Sequence, residues 1–193
     1  TTFITPAKRP HTAGCFTPPV AYYPRPERYL APEVVREDIR DSLERLCVET
    51  IDLYFLHRDD SRVPVGEILD VLNGEVAAGR IRYFGASNWR PSRIEEANAY
   101  AEKATVPGKD ERMGFVASQP EYSLAQPNQP TGAYGSGNKF LSASDVAWHT
   151  RTGFPAFVYG PAAQGYFATG GKKGAEVYDN AVSRKRLEKA TSL

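Results

Sequence analysis

Apolar positions along the chain alternate between two spacings. Val35, Ile39, Leu43 and Leu46 stand four, four and three residues apart. That is one face of a helix, opened by Pro32, whose missing N–H costs nothing at a first helical position. Ile51, Leu53, Tyr54, Phe55 and Leu56 then form a short unbroken apolar run. It reads as a strand buried on both faces, ending abruptly on His57, Arg58, Asp59 and Asp60. Val65, Ile68, Leu69, Leu72 and Val76 return to helical spacing, and Gly79 stands where a helix stops. Ile81–Ala86 predicts the next strand, followed by Ser87, Asn88 and Trp89. Pro91 opens a further helix through Ile94, Ala97 and Ala101, with Ser92 and Glu95 at capping-box spacing. Gly114–Ser118 predicts a strand closed by Gln119. Ser142 and Asp145 cap a short helix through Val146 and Trp148 to Gly153, and Pro155–Tyr159 predicts a last strand. A short strand over Thr1–Thr5 precedes all of these, and the tail from Lys172 is charged and helix-prone.

This alternation, with about 30 to 40 residues between strands, is the βαβ rhythm of a parallel sheet. Four successive strands close on polar residues: His57, Ser87–Asn88, Gln119 and Tyr159. In a parallel barrel those ends converge on one mouth, the face that carries active sites. Two long polar stretches, 9–31 and 120–141, interrupt the rhythm. The first holds Pro10, Pro18, Pro19, Pro24 and Pro26. Long ordered loops in a compact domain are usually functional.

Composition narrows the partners. The 193 residues are 41% apolar and 24% charged, with a net charge of +1. That is ordinary for a globular domain and gives no electrostatic case for nucleic acid or an anionic membrane. No run approaches the roughly 18 apolar residues of a membrane span. Cys15 and Cys47, the only cysteines, predict a reduced, cytoplasmic setting.

The chemistry is narrowed mostly by elimination. His11 and Cys15 are four apart, but nothing completes a zinc set. No serine sits in a nucleophile elbow. Gly165 and Gly170 have phosphate-loop spacing, yet Gly171 stands where the lysine belongs. Gly135-Ser136-Gly137 lacks a third glycine and does not follow a strand. There remain a hydroxyl, two amides, an imidazole and an aromatic ring. Such a set suits a flat, amide-bearing aromatic ligand, which Tyr159 stacks on while Ser87, Asn88 and Gln119 hydrogen-bond its carboxamide. A nicotinamide fits that description, though composition alone does not select it.

The segments DSLERL, TIDLYFLHRDD, GEVAAGRIRYFGASNW, FVASQPEYSL and FVYGPAAQG occur in the order and spacing that resemble the aldo-keto reductases, from about residue 32 to 170. The resemblance implies an α/β fold of the parallel (β/α)8 TIM-barrel type. The chain, as one partial domain over 1–193, would supply about strands three to seven. It also implies NADP (NADPH) as cofactor and an aldehyde or ketone, a small-molecule carbonyl substrate, reduced by hydride transfer. His57 becomes the imidazole that hydrogen-bonds the carbonyl, and Lys8 stands near the place of the catalytic lysine. Ser87, Asn88 and Gln119 become the carboxamide ligands and Tyr159 the stacked ring. Gly160, where the family usually has serine, and Ala162 lie in the loop that contacts the cofactor, and Trp89 lies beside the substrate.

The family's catalytic tyrosine belongs to a segment with no counterpart here, since Tyr22 and Tyr23 stand in the wrong stretch. The expectation is therefore a fragment without turnover of its own, with exposed sheet edges and inward residues such as Leu53, Phe55 and Phe157 uncovered. The alternative is a non-catalytic, cofactor-binding relative of the kind that serves as a regulatory subunit of channels.

Overall fold

The computed structural model describes residues 2–4, 28–108, 110–130 and 138–192. The chain divides into two compact units. The first comprises 1–86 and 92–116, the second 87–91 and 117–193.

In the first unit the predicted alternation is present. Helix α1 (Pro32–Leu46) carries its proline in the first turn and buries Val35, Ile39 and Ser42. Leu46 is exposed instead, so the buried stripe is shorter than the spacing suggested. Strand β2 (Ile51–Leu56) runs parallel to β3 (Ile81–Ser87), with Ile51 opposite Ile81 and Phe55 opposite Gly85. Helix α2 (Val65–Ala77) connects them. It ends as Gly79 predicted. Gly79 takes φ +73°, its N–H reaches the Val76 carbonyl, and the Arg80 N–H reaches that of Glu75. This pair of bonds satisfies carbonyls that a helix end leaves open. Helix α3 (Pro91–Ala104) buries Ile94, Ala97 and Ala101. It starts at Pro91, which puts Ser92 inside the first turn, two places too late for the expected capping box.

The core of this unit is fully buried Ile39, Ile51, Phe55, Ile68, Leu72, Ile81, Phe84 and Ile94. Each such side chain is worth about 1.5–3 kcal/mol on burial. Glu75 is buried among them at 2% exposure, and the Arg80 guanidinium grips both its oxygens. An unpaired carboxylate at that depth would be costly.

Two features depart from a regular parallel barrel. Strand β1 (Thr2–Ile4) pairs antiparallel with β2, Phe3 opposite Tyr54. The apolar run predicted the strand but could not give its direction. An open edge of β2 hydrogen-bonds a partner in either sense, and antiparallel pairing is at least as stable per residue. Phe55 is completely buried and Leu53 half-buried, so the uncovering expected of inward residues does not occur on β2. In the second unit, however, Phe157 and Val158 are 41% and 42% exposed.

The stretch 113–115 is secured by side chains in place of a neighbouring strand. Asn73 of α2 receives the Met113 N–H at 2.8 Å and returns its amide to the Met113 carbonyl at 2.9 Å. Asn98 of α3 does the same for Phe115, at 2.7 and 3.1 Å. Each primary amide mimics a peptide group.

The second unit begins at Ser87. Strand β4 is only Ser118–Gln119. The predicted strand at 155–159 is two parallel bridges, Ser118 with Ala156 and Glu121 with Tyr159. Prolines 120 and 155 remove ladder donors, which accounts for the interruption. Helix α4 (Ala143–Thr152) has the predicted capping box, Ser142 with Asp145, and the predicted Gly153 stop. Helices α5 (Ala175–Tyr178) and α6 (Ala181–Thr191) form the tail. Tyr166 and Tyr178 pack with Ala125 and Ala163, flanked by Phe167, Val177 and Leu187.

Cys47 is exposed just past α1. Cys15 lies outside the described residues. Among the described residues no helix is long and apolar enough to cross a membrane.

Two glycine substitutions test this packing. A Cβ at Gly114 would stand 2.5 Å from the Asn98 side-chain oxygen, so Gly114→Ala is expected to cost about 1–3 kcal/mol by displacing that amide. Gly74, inside α2, has open space, and Gly74→Ala is expected to stabilise by about 0.5–1 kcal/mol. Urea unfolding of both variants measures the two signs.

Candidate functional site

Strand ends leave backbone groups unpaired, and in the second unit polar side chains take them up. Ser87 closes β3 with 1% exposure, and its hydroxyl donates to the Gln119 carbonyl at 2.8 Å. The Asn88 N–H donates to the same carbonyl at 3.2 Å. Asn88 takes φ +62°, a left-handed conformation that asparagine tolerates better than most residues. That turn swings its side chain into a dense network. Its Oδ1 accepts the Tyr159 hydroxyl at 2.7 Å and the Lys139 N–H at 2.9 Å, and its Nδ2 donates to Ser87 Oγ at 3.1 Å. Lys139 can only donate there, which fixes which end of the amide faces it.

Ser87, Asn88, Gln119 and Tyr159, expected from their places at strand ends, therefore come together in this unit. Two backbone ladders hold them. Tyr159 N–H bonds Pro120 O at 3.1 Å, and Tyr122 N–H bonds Tyr159 O at 3.0 Å. On the other flank Glu121 N–H bonds Lys139 O, and Leu141 N–H bonds Glu121 O, both at 2.9 Å. Gln119 is buried as a residue, and its side-chain amide hydrogen-bonds no other described residue. Trp89 is 3% exposed. Gly160 has φ +74°, which explains glycine in a place where a β-carbon would be strained. Ala162 leads into a 3₁₀ turn over Ala163–Gly165, in which Ala163 and Gln164 are also left-handed. The glycine-rich stretch after it is a run of turns, with φ +62° and +82° at Gly170 and Gly171.

No signal in the sequence marks Lys139, which contributes only a backbone N–H. None marks His149 either, whose Nδ1 bonds the Phe154 carbonyl at 2.7 Å and whose Nε2 meets Ser118 Oγ at 3.2 Å. With Ser118 only 4% exposed, this pair ties α4 to β4.

In the first unit His57 is exposed at the end of β2. Behind it the charges pair off. Arg62 holds buried Asp60 at 2.7 and 3.0 Å. Arg93 reaches Asp59 at 3.4 Å and the Val63 carbonyl at 2.6 Å. The Tyr29 hydroxyl donates to the Asp59 carbonyl. Burial, then the negative charges of Asp60 and Asp59, push the Tyr29 hydroxyl above its ordinary pKa. Burial also raises the Asp59 carboxyl, against the lowering pull of Arg93. Lys8 lies outside the described residues. Among the described residues no cluster of His, Cys, Asp and Glu could hold a metal ion.

The aldo/keto reductase family model matches residues 22–190. Among curated relatives, the uncharacterized oxidoreductase YrpG of Bacillus subtilis (strain 168) is 34% identical over 103 residues, 53% of this chain and 30% of that protein. A probable voltage-gated potassium channel subunit beta of Oryza sativa subsp. japonica is 31% identical over 98 residues, 51% of this chain and 28% of its own. A probable aldo-keto reductase 1 of Glycine max is 42% identical over 69 residues, 36% of this chain and 20% of its own. The chain thus spans less than a third of the length of these relatives.

The Asp59 environment makes a titration prediction. Its folded carboxyl holds the proton more tightly than the unfolded one. The stabilisation is complete below the ordinary aspartate value of about 3.9 and is lost as pH rises through the folded value. Arg93→Met removes the lowering partner, so the carboxyl is expected to titrate higher still by carbon-detected NMR. An unchanged or lower value would show that Arg93 does not act on it.

Proposed function

Because the chain belongs to the aldo/keto reductase family, we propose that it serves the reduction of an aldehyde or ketone by NADPH. One observation carries the reading. Ser87, Asn88, Gln119 and Tyr159, the four residues expected around a nicotinamide carboxamide, form one network in the second unit. The residues fit the group. The Gln119 side chain makes no hydrogen bond to another described residue, so its amide is available to a ligand. A ligand amide would supply both a donor and an acceptor to it. The Tyr159 ring is anchored by its own hydroxyl and offers a flat face for stacking.

The cofactor, when bound, supplies the hydride. The residues of the chain bind and orient. Gln119 would hold the carboxamide edge, Tyr159 would cover the ring, and Gly160 and Ala162 would shape the loop beyond it, while Ser87 secures the Gln119 carbonyl behind them. His57, an exposed imidazole at the end of β2, is assigned the hydrogen bond to the carbonyl oxygen. Lys8 is assigned the supporting charge, and Trp89 a wall of the substrate pocket. These last three assignments follow the family resemblance, and turnover is proposed for the whole protein as its gene encodes it.

A second reading is favoured by the relatives named as potassium channel beta subunits. In it the chain binds the same cofactor as part of a regulatory subunit, with no catalytic role for His57. Both readings require cofactor binding, and turnover separates them.

NADPH fluorescence titration is the first test. Saturable binding is expected, weakened about tenfold or more by Tyr159→Ala, since stacking on an aromatic ring is worth about 1–3 kcal/mol. Absence of saturable binding overturns both readings. In the protein expressed from its source gene, NADPH oxidation by an aromatic aldehyde should fall about 10²–10⁴-fold in His57→Ala. Binding with no turnover leaves the regulatory reading.

A further inference from the structure

The charges that follow β2 are paired off, with one exception. Asp60 is 3% exposed, and Arg62 takes both its oxygens at 2.7 and 3.0 Å. Asp59 faces Arg93 at 3.4 Å, and Arg93 also meets Glu96 at 3.1 Å. Arg28 reaches Glu67 at 3.5 Å. The two carboxylates nearest His57 in sequence are thus committed to other cations. Arg58 is left over. It is half-buried, and its Nε is closed to water yet finds no acceptor. Among the described residues it makes no ion pair. Its charge is nonetheless felt nearby. Burial and the two aspartates raise the Tyr29 hydroxyl, and Arg58 pulls it back. A guanidinium is always charged, and its N–H groups form a rigid fork that matches a carboxylate. A dried donor of this kind, with the local acids already taken, favours an anionic acceptor from outside the fold.

We propose that Arg58 determines substrate specificity, by binding the carboxylate of an aldehyde or ketone whose carbonyl lies at His57. The inference rests on the reductase reading and deepens it, from carbonyl compounds at large to oxo acids. The two residues are consecutive. Consecutive side chains leave an extended chain on opposite sides. The carbonyl and the carboxylate of one molecule held by both therefore stand several bonds apart. That geometry suits an ω-oxo acid or a carboxylated aromatic aldehyde. It does not suit a 2-oxo acid, in which the two groups are bonded directly. Asp59 and Asp60 do not repel such a ligand strongly, because each already carries its own arginine.

The test uses the protein expressed from its source gene, NADPH and three probes. These are 4-carboxybenzaldehyde, its neutral counterpart 4-formylbenzamide, and the 2-oxo acid phenylglyoxylate. The wild type should favour the carboxylate over the amide in kcat/KM by about ten- to a hundredfold, the worth of a hydrogen bond to a charged group. Arg58→Gln should abolish that preference through KM, with kcat and the amide substrate unchanged. Arg58→Lys should keep part of it, since the charge stays and the fork is lost. Phenylglyoxylate should gain nothing from Arg58. Equal losses on the carboxylate and the amide in Arg58→Gln would mark a structural role and overturn the proposal. Equal dependence of phenylglyoxylate on Arg58 would overturn the choice of ω-oxo acids.

A second readout needs no turnover. The Arg58 Nε–H, shielded from water, is followed by heteronuclear NMR as 4-(hydroxymethyl)benzoate, the reduced product, is added in the presence of NADPH. A saturable shift is expected, and none with 4-(hydroxymethyl)benzamide. No shift with the carboxylate removes Arg58 as its ligand. Turnover of the amide without any preference for the carboxylate leaves the reductase reading standing and sinks this one. If no aldehyde is turned over, the reductase reading fails, and the titration alone decides whether Arg58 holds a carboxylate.

Discussion

One side-chain carbonyl holds the end of the third strand. Asn88 Oδ1 accepts a hydroxyl from Tyr159 and a backbone N–H from Lys139 inside a region almost closed to water. Leaving either donor unpaired there would cost about 1–3 kcal/mol, so the segments at 139–141 and 157–159 depend on this atom for their seating. The position admits few residues. It must tolerate φ +62°, accept two hydrogen bonds and still donate one to Ser87. Asparagine meets all three demands, aspartate two and glycine one. The same economy explains why chemistry gathers at strand ends, since the polar side chains that repair a terminated ladder are also those that can greet a polar ligand.

Much of the helix punctuation in both units was legible because its signals are local. Pro32 and Gly79 punctuate helices through their own backbone restrictions, and Ser142 with Asp145 forms a cap within four residues. The strand ends at Ser87, Asn88, Gln119 and Tyr159 could be named for a similar reason, because an apolar run stops visibly. What escaped was set by groups far apart in sequence or without a side-chain signature. The direction of β1 is decided by what lies across β2. The commitment of Asn88 is decided by a hydroxyl 71 residues later and by an N–H that any non-proline residue would carry. Gly160 read as a missing serine, yet its left-handed backbone is reason enough for glycine.

The asparagines that pair with 113–115 bring a liability of a different kind. Asn73 is followed by Gly74, the neighbour beside which an asparagine amide is most readily attacked by the next backbone nitrogen, closing a succinimide that hydrolyses to aspartate. Here the helix and bonds to Leu69 and Met113 hold that amide out of reach. Should the helix fray and the reaction proceed, a donor would become a carboxylate oxygen facing two carbonyls. The residue that substitutes for a missing strand is thus also a clock, and the integrity of α2 sets how slowly it runs.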